Sequence, residues 1–244
     1  MPAGVEVFDD TNSLAQAAAD YLATSASDAM RRRGRFTVAL SGGSTPKRLF
    51  SLLARPDRHA RVPWHATHVF WSDERCVPPE HPDSNFLMAK RLLLDHVPVA
   101  RGNIHRMRGE LDATRAAQEY ERELVGVVGK DGAVDLVLLG MGPDGHTASL
   151  FPDTAALDEM KRLVVANYVA RLSSWRITLT YPALNAARAI VFLVAGHDKA
   201  EMVARAMAPP GVPVGRRPPA GRVQPAAGTP LWLLDRAAAR MTVP

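Results

Sequence analysis

A mostly parallel, doubly wound α/β sheet flanked by helices is the fold class that three features of the sequence predict. Short apolar runs recur along the chain, and most are followed by a loop and then a stretch with helical spacing, the strand–loop–helix rhythm of such sheets. One of the runs, Ala189–Ala195, is nearly all apolar, as a central parallel strand buried on both faces must be. Glycine-rich or charged loops follow several of the runs, which collects polar residues at one edge of the sheet, where open α/β sheets bind ligands. No internal repeat or composition break divides the 244 residues, so a single domain over 1–244 is expected.

The elements follow in order. Val5–Phe8 is a first strand. Asp10, Thr11, Asn12 and Ser13 offer N-caps for a helix running to Arg33, with Leu14, Ala17, Ala18, Tyr21 and Leu22 on one face and Gly34 as its stop. Phe36–Leu40 is the next strand. It runs into Ser41-Gly42-Gly43-Ser44-Thr45-Pro46-Lys47, where the glycines let backbone N–H groups converge and Pro46 suits the first turn of a helix. Such a nest at a helix N-terminus suits a phosphate. It is not a Walker loop, because G-x-x-x-x-G-K-[ST] is not matched.

Thr67–Trp71 is a third strand, ending in the charged segment Ser72-Asp73-Glu74-Arg75. A rigid loop, Val77–Pro82, precedes a helix capped by Asp83 or Ser84 and running through Leu94. Asn103–Met107 is expected as a short strand, Ala113–Val128 as a helix and Asp135–Leu139 as a buried strand. Further strands are expected at Leu163–Val169, Arg176–Thr180 and Leu231–Leu234. Pro182 starts a short helix, Ala200–Met207 forms another, Pro209–Pro225 is loop, and Asp235–Met241 is a terminal helix.

Composition narrows the function classes. Hydrophobic residues make up 47% of the chain, enough for a sizeable core. The one cysteine, Cys76, excludes an intrachain disulfide and a cysteine-based zinc finger. No run approaches the roughly 20 apolar residues that span a bilayer. The N-terminal residues lack a basic region and an apolar signal core, so a cytoplasmic protein without a membrane partner is expected. The net charge of +5 and pI of about 9.7 raise the question of nucleic acid. The basic residues are spread along the chain. Their only run, Arg31-Arg32-Arg33, sits at a helix end where cations suit the macrodipole. No aromatic interleaving accompanies it, so no nucleic-acid partner is expected. Modest positive charge equally suits an anionic small molecule.

The chain is organised around Gly140-Met141-Gly142-Pro143-Asp144-Gly145-His146-Thr147-Ala148-Ser149-Leu150-Phe151-Pro152, which follows the Asp135–Leu139 strand. Gly140, Gly142 and Gly145 spell G-x-G-x-x-G, nominally a dinucleotide fingerprint. That fingerprint opens a chain's first βαβ unit, with a carboxylate ending the next strand. Neither condition holds here, and Pro143 and His146 crowd the place of a pyrophosphate. The functional candidates that recur after strands are therefore the Ser41 nest, Arg75, His146 and Lys199. The other histidines show no metal spacing and are taken as surface or satisfied core residues.

At this point the motifs resemble a family. Ser41–Pro46, Trp71–Arg75 with Val77-Pro78-Pro79 and His81–Asn85, and the loop GMGPDGHTASLFP are similar to the 6-phosphogluconolactonases. Arg176–Thr180, Pro182–Asn185, Gly196–Lys199 and Trp232–Asp235 continue the resemblance over nearly the whole chain. Cys76 departs from it, since the family commonly has an aromatic residue there. The resemblance implies a Rossmann-like fold and hydrolysis of 6-phospho-D-glucono-1,5-lactone to 6-phosphogluconate in the pentose phosphate pathway. It implies no metal and no organic cofactor. A sugar-phosphate lactone is the expected small-molecule partner, and a monomer or homodimer is expected.

A δ-lactone is an activated ester, so a general base for water, an oxyanion donor and a phosphate anchor suffice. In this reading His146 is the base, since imidazole titrates near neutral pH. Asp144 orients it or orders the loop. Gly42, Gly43 and Ser44, with Arg75, Arg176 and Lys199, hold the phosphate and sugar hydroxyls. Arg176 begins a strand, which allows it to lie at the opposite sheet edge. Two rivals share the nest. A hexosamine-6-phosphate deaminase or isomerase carries a carboxylate shortly after the equivalent histidine, and Thr147–Phe151 contains none. A non-enzymatic sugar-phosphate-sensing domain requires an attached DNA-binding segment, for which the residues before Val5 leave no room.

Overall fold

The computed structural model describes residues 4–208 and 211–242. The signal-peptide reading of residues 1–3, and the start of the expected loop at 209–210, lie outside the described residues. In chain order the main elements are β1 (Val5–Phe8), α1 (Thr11–Arg33), β2 (Phe36–Leu40), α2 (Ser44–Leu53), α3 (Pro56–His59), β3 (Thr67–Trp71), β4 (Asp73–Arg75), α4 (Asn85–Leu92), α5 (Ala113–Val128), β5 (Leu136–Leu139), β6 (Val164–Val169), β7 (Ser174–Leu179), α6 (Tyr181–Ala186), β8 (Ile190–Val194), α7 (Ala200–Ala206), β9 (Leu231–Asp235) and α8 (Arg236–Ala239).

Six strands form one parallel sheet in the order β1-β9-β8-β5-β2-β3. Residues alternate between its faces. Val38, Leu40, Leu136, Leu138, Val191 and Leu193 meet α1, α2 and α4. Ala39, Val137, Leu139, Phe192 and Val194 meet α5 to α8. Continuous burial on both faces is why β5 and β8 are apolar throughout and β2 holds only Thr37 besides. The chain leaves β2 for β3 on one side, while β5, β8 and β9 extend the sheet on the other. β2 and β5 thus flank the point where strand order reverses, and a crevice opens beyond their carboxyl ends.

Helix ends obey local chemistry. Asp10 caps α1, accepting from the Asn12 and Ser13 N–H groups at 2.9 and 2.8 Å, and Gly34 closes it in the left-handed region. Ser84 caps α4, which ends at Leu92 rather than Leu94. Asp112 caps α5 over the expected range. Arg33, last of the arginine run, pairs at 2.8 Å with buried Asp135, which also accepts from the Thr37 N–H and hydroxyl at 2.9 Å. This ties the amino ends of β2 and β5 together, opposite the crevice.

The fold class stands, but not every strand joins the one sheet. β4, β7 and β6 form a second, antiparallel sheet of three strands. A parallel connection needs a crossover of about a dozen residues. Only Ala170–Ser173 separates β6 from β7, so a hairpin was the one available pairing. The expected strand at Asn103–Met107 is reduced to a single bridge, Ile104 with Val69, because a 3-10 turn at Arg101–Asn103 delivers the chain and it then leaves the edge of β3. The expected terminal helix is shorter, Arg236–Ala239, because Asp235 ends β9 and caps it. Two further 3-10 turns, Val214–Arg216 and Pro219–Arg222, punctuate the expected loop after α7.

Candidate functional site

The loop after β5 folds back on itself. The Gly142 N–H donates to the His146 carbonyl at 2.9 Å, and the Gly145 N–H to the Gly142 carbonyl at 2.9 Å. This turns Asp144 and His146 to face each other, with Nδ1 of the imidazole 2.5 Å from Oδ1 of Asp144. No side chain fits at Gly142, since a Cβ there would lie 2.1 Å from His146 Cε1 and 2.2 Å from Nδ1. The ring is held on its flat side by Phe151, stacked at 4.0 Å.

Asp144 is partly buried, which raises the energy of its charge. The hydrogen bond and charge of His146, the His146 N–H and the Arg171 guanidinium more than offset this and hold its carboxyl down at about 2. Arg171, from the β6–β7 turn, pairs with the other carboxylate oxygen and covers the Phe151 ring at 4.9 Å. An ionised Asp144 can only accept, so Nδ1 carries the proton that it donates. The other nitrogen, Nε2, then holds a lone pair.

His146 lines a cavity of about 190 Å³ at the switch point, together with the Ser41–Pro46 nest, Asp73, Arg75, Asn85, Gly140 and Lys199. Gly43 is the N-cap of α2, at φ +108, a backbone conformation open to glycine. It offers no side chain, and no acid occupies the first turn, so the helix's leading N–H groups lack a capping partner. Free N–H groups at a helix N-terminus suit a bound anion. Ser44 is exposed beside it, and Lys199 approaches after β8, pairing with exposed Asp198 at 3.1 Å. Ser41 is spent otherwise. Its buried hydroxyl donates to the Leu138 carbonyl at 2.7 Å and meets the Ser72 hydroxyl at 2.8 Å, fastening β2 to its neighbours.

The charged segment after β3 is a strand, not a surface tail. Glu74 is buried and accepts from the N–H groups of Arg75, Asn85 and Phe86, each at 2.8 Å, and from the Ser84 hydroxyl at 3.0 Å. Burial pushes its carboxyl up, against these hydrogen bonds. The result is a fixed frame from which Asp73 and Arg75 project to the cavity. Asp73 receives the Ser149 hydroxyl at 2.7 Å, which docks the far end of the glycine-rich loop onto the same frame.

Among the expected residues, the structure brings together Gly42, Gly43, Ser44, Arg75, His146 and Lys199, with Asp144 directly behind the imidazole. Arg176 stands apart. It pairs with Arg75 across β4 and β7, but it is not part of the cavity wall, and its Nε is buried without a partner. Burial and the neighbouring Arg75 lower its proton affinity. Sequence reasoning overlooked Asn85, whose amide donates to the Asp73 carbonyl at 3.0 Å, and Arg171. Asn85 follows a visible cap, so its signal was present. Arg171 lies in a turn of another sheet and carried none. His68 and His105 meet at 3.0 Å, with Glu123 at 2.7 Å from His105, the satisfied arrangement expected of them.

Residues 9–232 match the family model described as glucosamine-6-phosphate isomerases/6-phosphogluconolactonase. The chain is 44% identical over 240 residues to a 6-phosphogluconolactonase of Nostoc sp., covering 96% of each. It is 42% identical over 239 residues to one of Synechocystis sp., again 96% of each. Among solved structures, the 6-phosphogluconolactonase of Trypanosoma cruzi superposes with a TM-score of 0.85 at 29% identity, over 97% of this chain and 95% of that one.

Proposed function

The chain belongs to the glucosamine-6-phosphate isomerase/6-phosphogluconolactonase family, and we propose that within it the protein hydrolyses 6-phospho-D-glucono-1,5-lactone to 6-phospho-D-gluconate in the oxidative branch of the pentose phosphate pathway. The observation that carries the reading is the Asp144–His146 pair beside the uncapped end of α2, a base and an anion site in one small cavity.

The phosphate sits on the N–H groups at Gly42–Ser44 with Lys199, and Arg75 completes the cationic wall. Anchoring at that end fixes the lactone carbonyl near His146, which removes orientational freedom before the chemical step. Nε2 takes a proton from water as its oxygen attacks the carbonyl carbon. Asp144 steadies the imidazolium that forms. The tetrahedral intermediate then collapses, the bond from the carbonyl carbon to the ring oxygen breaks, and the imidazolium returns its proton to the leaving hydroxyl. Arg176 serves this reading as a neighbour that shapes the position of Arg75, not as a direct ligand. The reading places the enzyme in the cytoplasm, as a monomer or homodimer.

The family's amine chemistry is disfavoured by Thr147–Phe151, which holds no carboxylate to assist ring opening. The test is a paired assay of purified protein: acid release from the lactone against the uncatalysed rate, and ammonia release from a hexosamine 6-phosphate. Lactone hydrolysis well above background without ammonia is expected. Ammonia release without lactone hydrolysis would overturn the reading.

A further inference from the structure

A second and larger cavity of about 620 Å³, lined by Asp144 but sharing no lining residue with the lactone cavity, lies beside the Asp144–His146 loop. One wall is cationic. Arg205 comes from α7, Arg216 and Arg217 from the turn after it, and Arg222 from the next turn. Asp153 and Asp158 also line it, as does Asp144, the partner of the base.

The charges in this cavity are largely uncommitted. Among the described residues, Arg216, Arg217 and Arg222 have no carboxylate within 4.0 Å, and Arg205 has only a long contact to Glu201 at 3.9 Å. Arg222 donates from Nε to the Arg217 carbonyl at 2.8 Å, which fixes the two turns against each other. The Arg217 Nε is buried and has no partner. Asp153 and Asp158 likewise enter no ion pair among the described residues. A cavity lined by both unpaired guanidinium groups and unpaired carboxylates suits a ligand with an anionic end and a hydroxyl-bearing end.

We propose that this cavity is a second binding site, separate from the lactone pocket, for a phosphate ester carrying free hydroxyls, such as a sugar phosphate or nucleotide. The phosphate lies among Arg205, Arg216, Arg217 and Arg222, as forked guanidinium groups bind phosphate oxygens. The hydroxyls donate to Asp153 and Asp158. This inference goes beyond the lactonase reading and does not depend on it.

The test counts sites by calorimetric titration, with inorganic pyrophosphate and ribose 5-phosphate as probes and ribose as control. Wild-type protein is expected to bind two equivalents of each phosphate probe and no ribose. Lys199→Ala should remove or weaken the event at the helix end only. Arg205→Gln combined with Arg216→Gln, at side chains that hold no close partner, should weaken the other event at least tenfold and leave lactone hydrolysis intact. Arg217→Gln should do the same if folded by circular dichroism. A single equivalent, abolished by Lys199→Ala and indifferent to the arginine changes, would overturn the proposal. So would two events that are both indifferent to them.

Discussion

Gly142→Ala tests the working geometry with a single methyl group. The added Cβ would sit 2.1 Å from His146 Cε1, 2.2 Å from Nδ1 and 2.8 Å from Asp144 Oδ1. Restoring a contact of about 3.5 Å requires the ring to retreat by roughly 1.4 Å. Phe151 stacks against the ring at 4.0 Å and limits that retreat. The 2.5 Å bond to Asp144 therefore breaks or swings out of line. A misplacement of about 1 Å costs on the order of 100-fold in rate, so kcat for lactone hydrolysis should fall about 100- to 1,000-fold. Gly142 does not occupy the left-handed region, so alanine imposes no backbone strain and the protein should fold. The phosphate end of the cavity is built on α2 and β8, so KM should change little. Initial rates of acid release, corrected for spontaneous hydrolysis, supply the readout, with thermal unfolding as the fold control. A folded variant within about threefold of wild type would show that catalysis does not need this ring where it lies.

Other perturbations separate the remaining parts. Asp144→Asn replaces the acceptor-only carboxylate with an amide whose NH2 can donate to Nδ1 and hold the imidazole in the other tautomer, so kcat should fall at least about 100-fold, a general-base loss. Asp144 is held at about 2, below its ordinary 3.8, so it stabilises the fold above that ordinary value and loses this only as pH falls toward 2. The acid limb of wild-type kcat/KM should therefore lie well above that window, as a pH profile would show. Lys199→Ala should weaken binding of 6-phosphogluconate about tenfold or more while sparing unphosphorylated gluconolactone, whose hydrolysis gives the comparison. Glu74→Gln replaces one of two acceptor oxygens with an amide facing buried N–H groups or the Ser84 hydroxyl. Urea denaturation should record a loss of about 3–6 kcal/mol, the worth of two bonds to a charged acceptor.

The parallel strands were legible because burial demands apolar runs: Ala189–Ala195 is unbroken, Phe36–Leu40 is interrupted only by Thr37, and the edge strand Thr67–Trp71 ends in Val69-Phe70-Trp71. The glycine-rich loop and the Ser41 nest were legible because tight turns and an open helix end restrict residue types. The second sheet was not. Asp73-Glu74-Arg75 has no strand propensity, and it becomes β4 only because β7 supplies its partner. Its acids look solvated in sequence, yet Glu74 is 2% exposed and braces the cavity. Arg171 was invisible for a related reason. Its link to Asp144 spans 27 residues and two sheets, and nothing local marks it. Arg176 illustrates the converse, a residue within a legible motif whose register with Arg75 sets it beside the cavity rather than in its wall.

The central claim is that Nε2 of His146 activates the water. His146→Asn keeps much of the side chain's size and hydrogen bonding but cannot take up a proton. Its turnover of 6-phosphogluconolactone, measured alongside its affinity for 6-phosphogluconate, tests that claim most directly. We expect kcat to fall at least about 100-fold, within the range of general-base assistance, while product binding at the helix end of α2 stays near wild type. A folded His146→Asn protein with near-normal turnover would contradict the account and move the search for the base to Asp144 or Asp73.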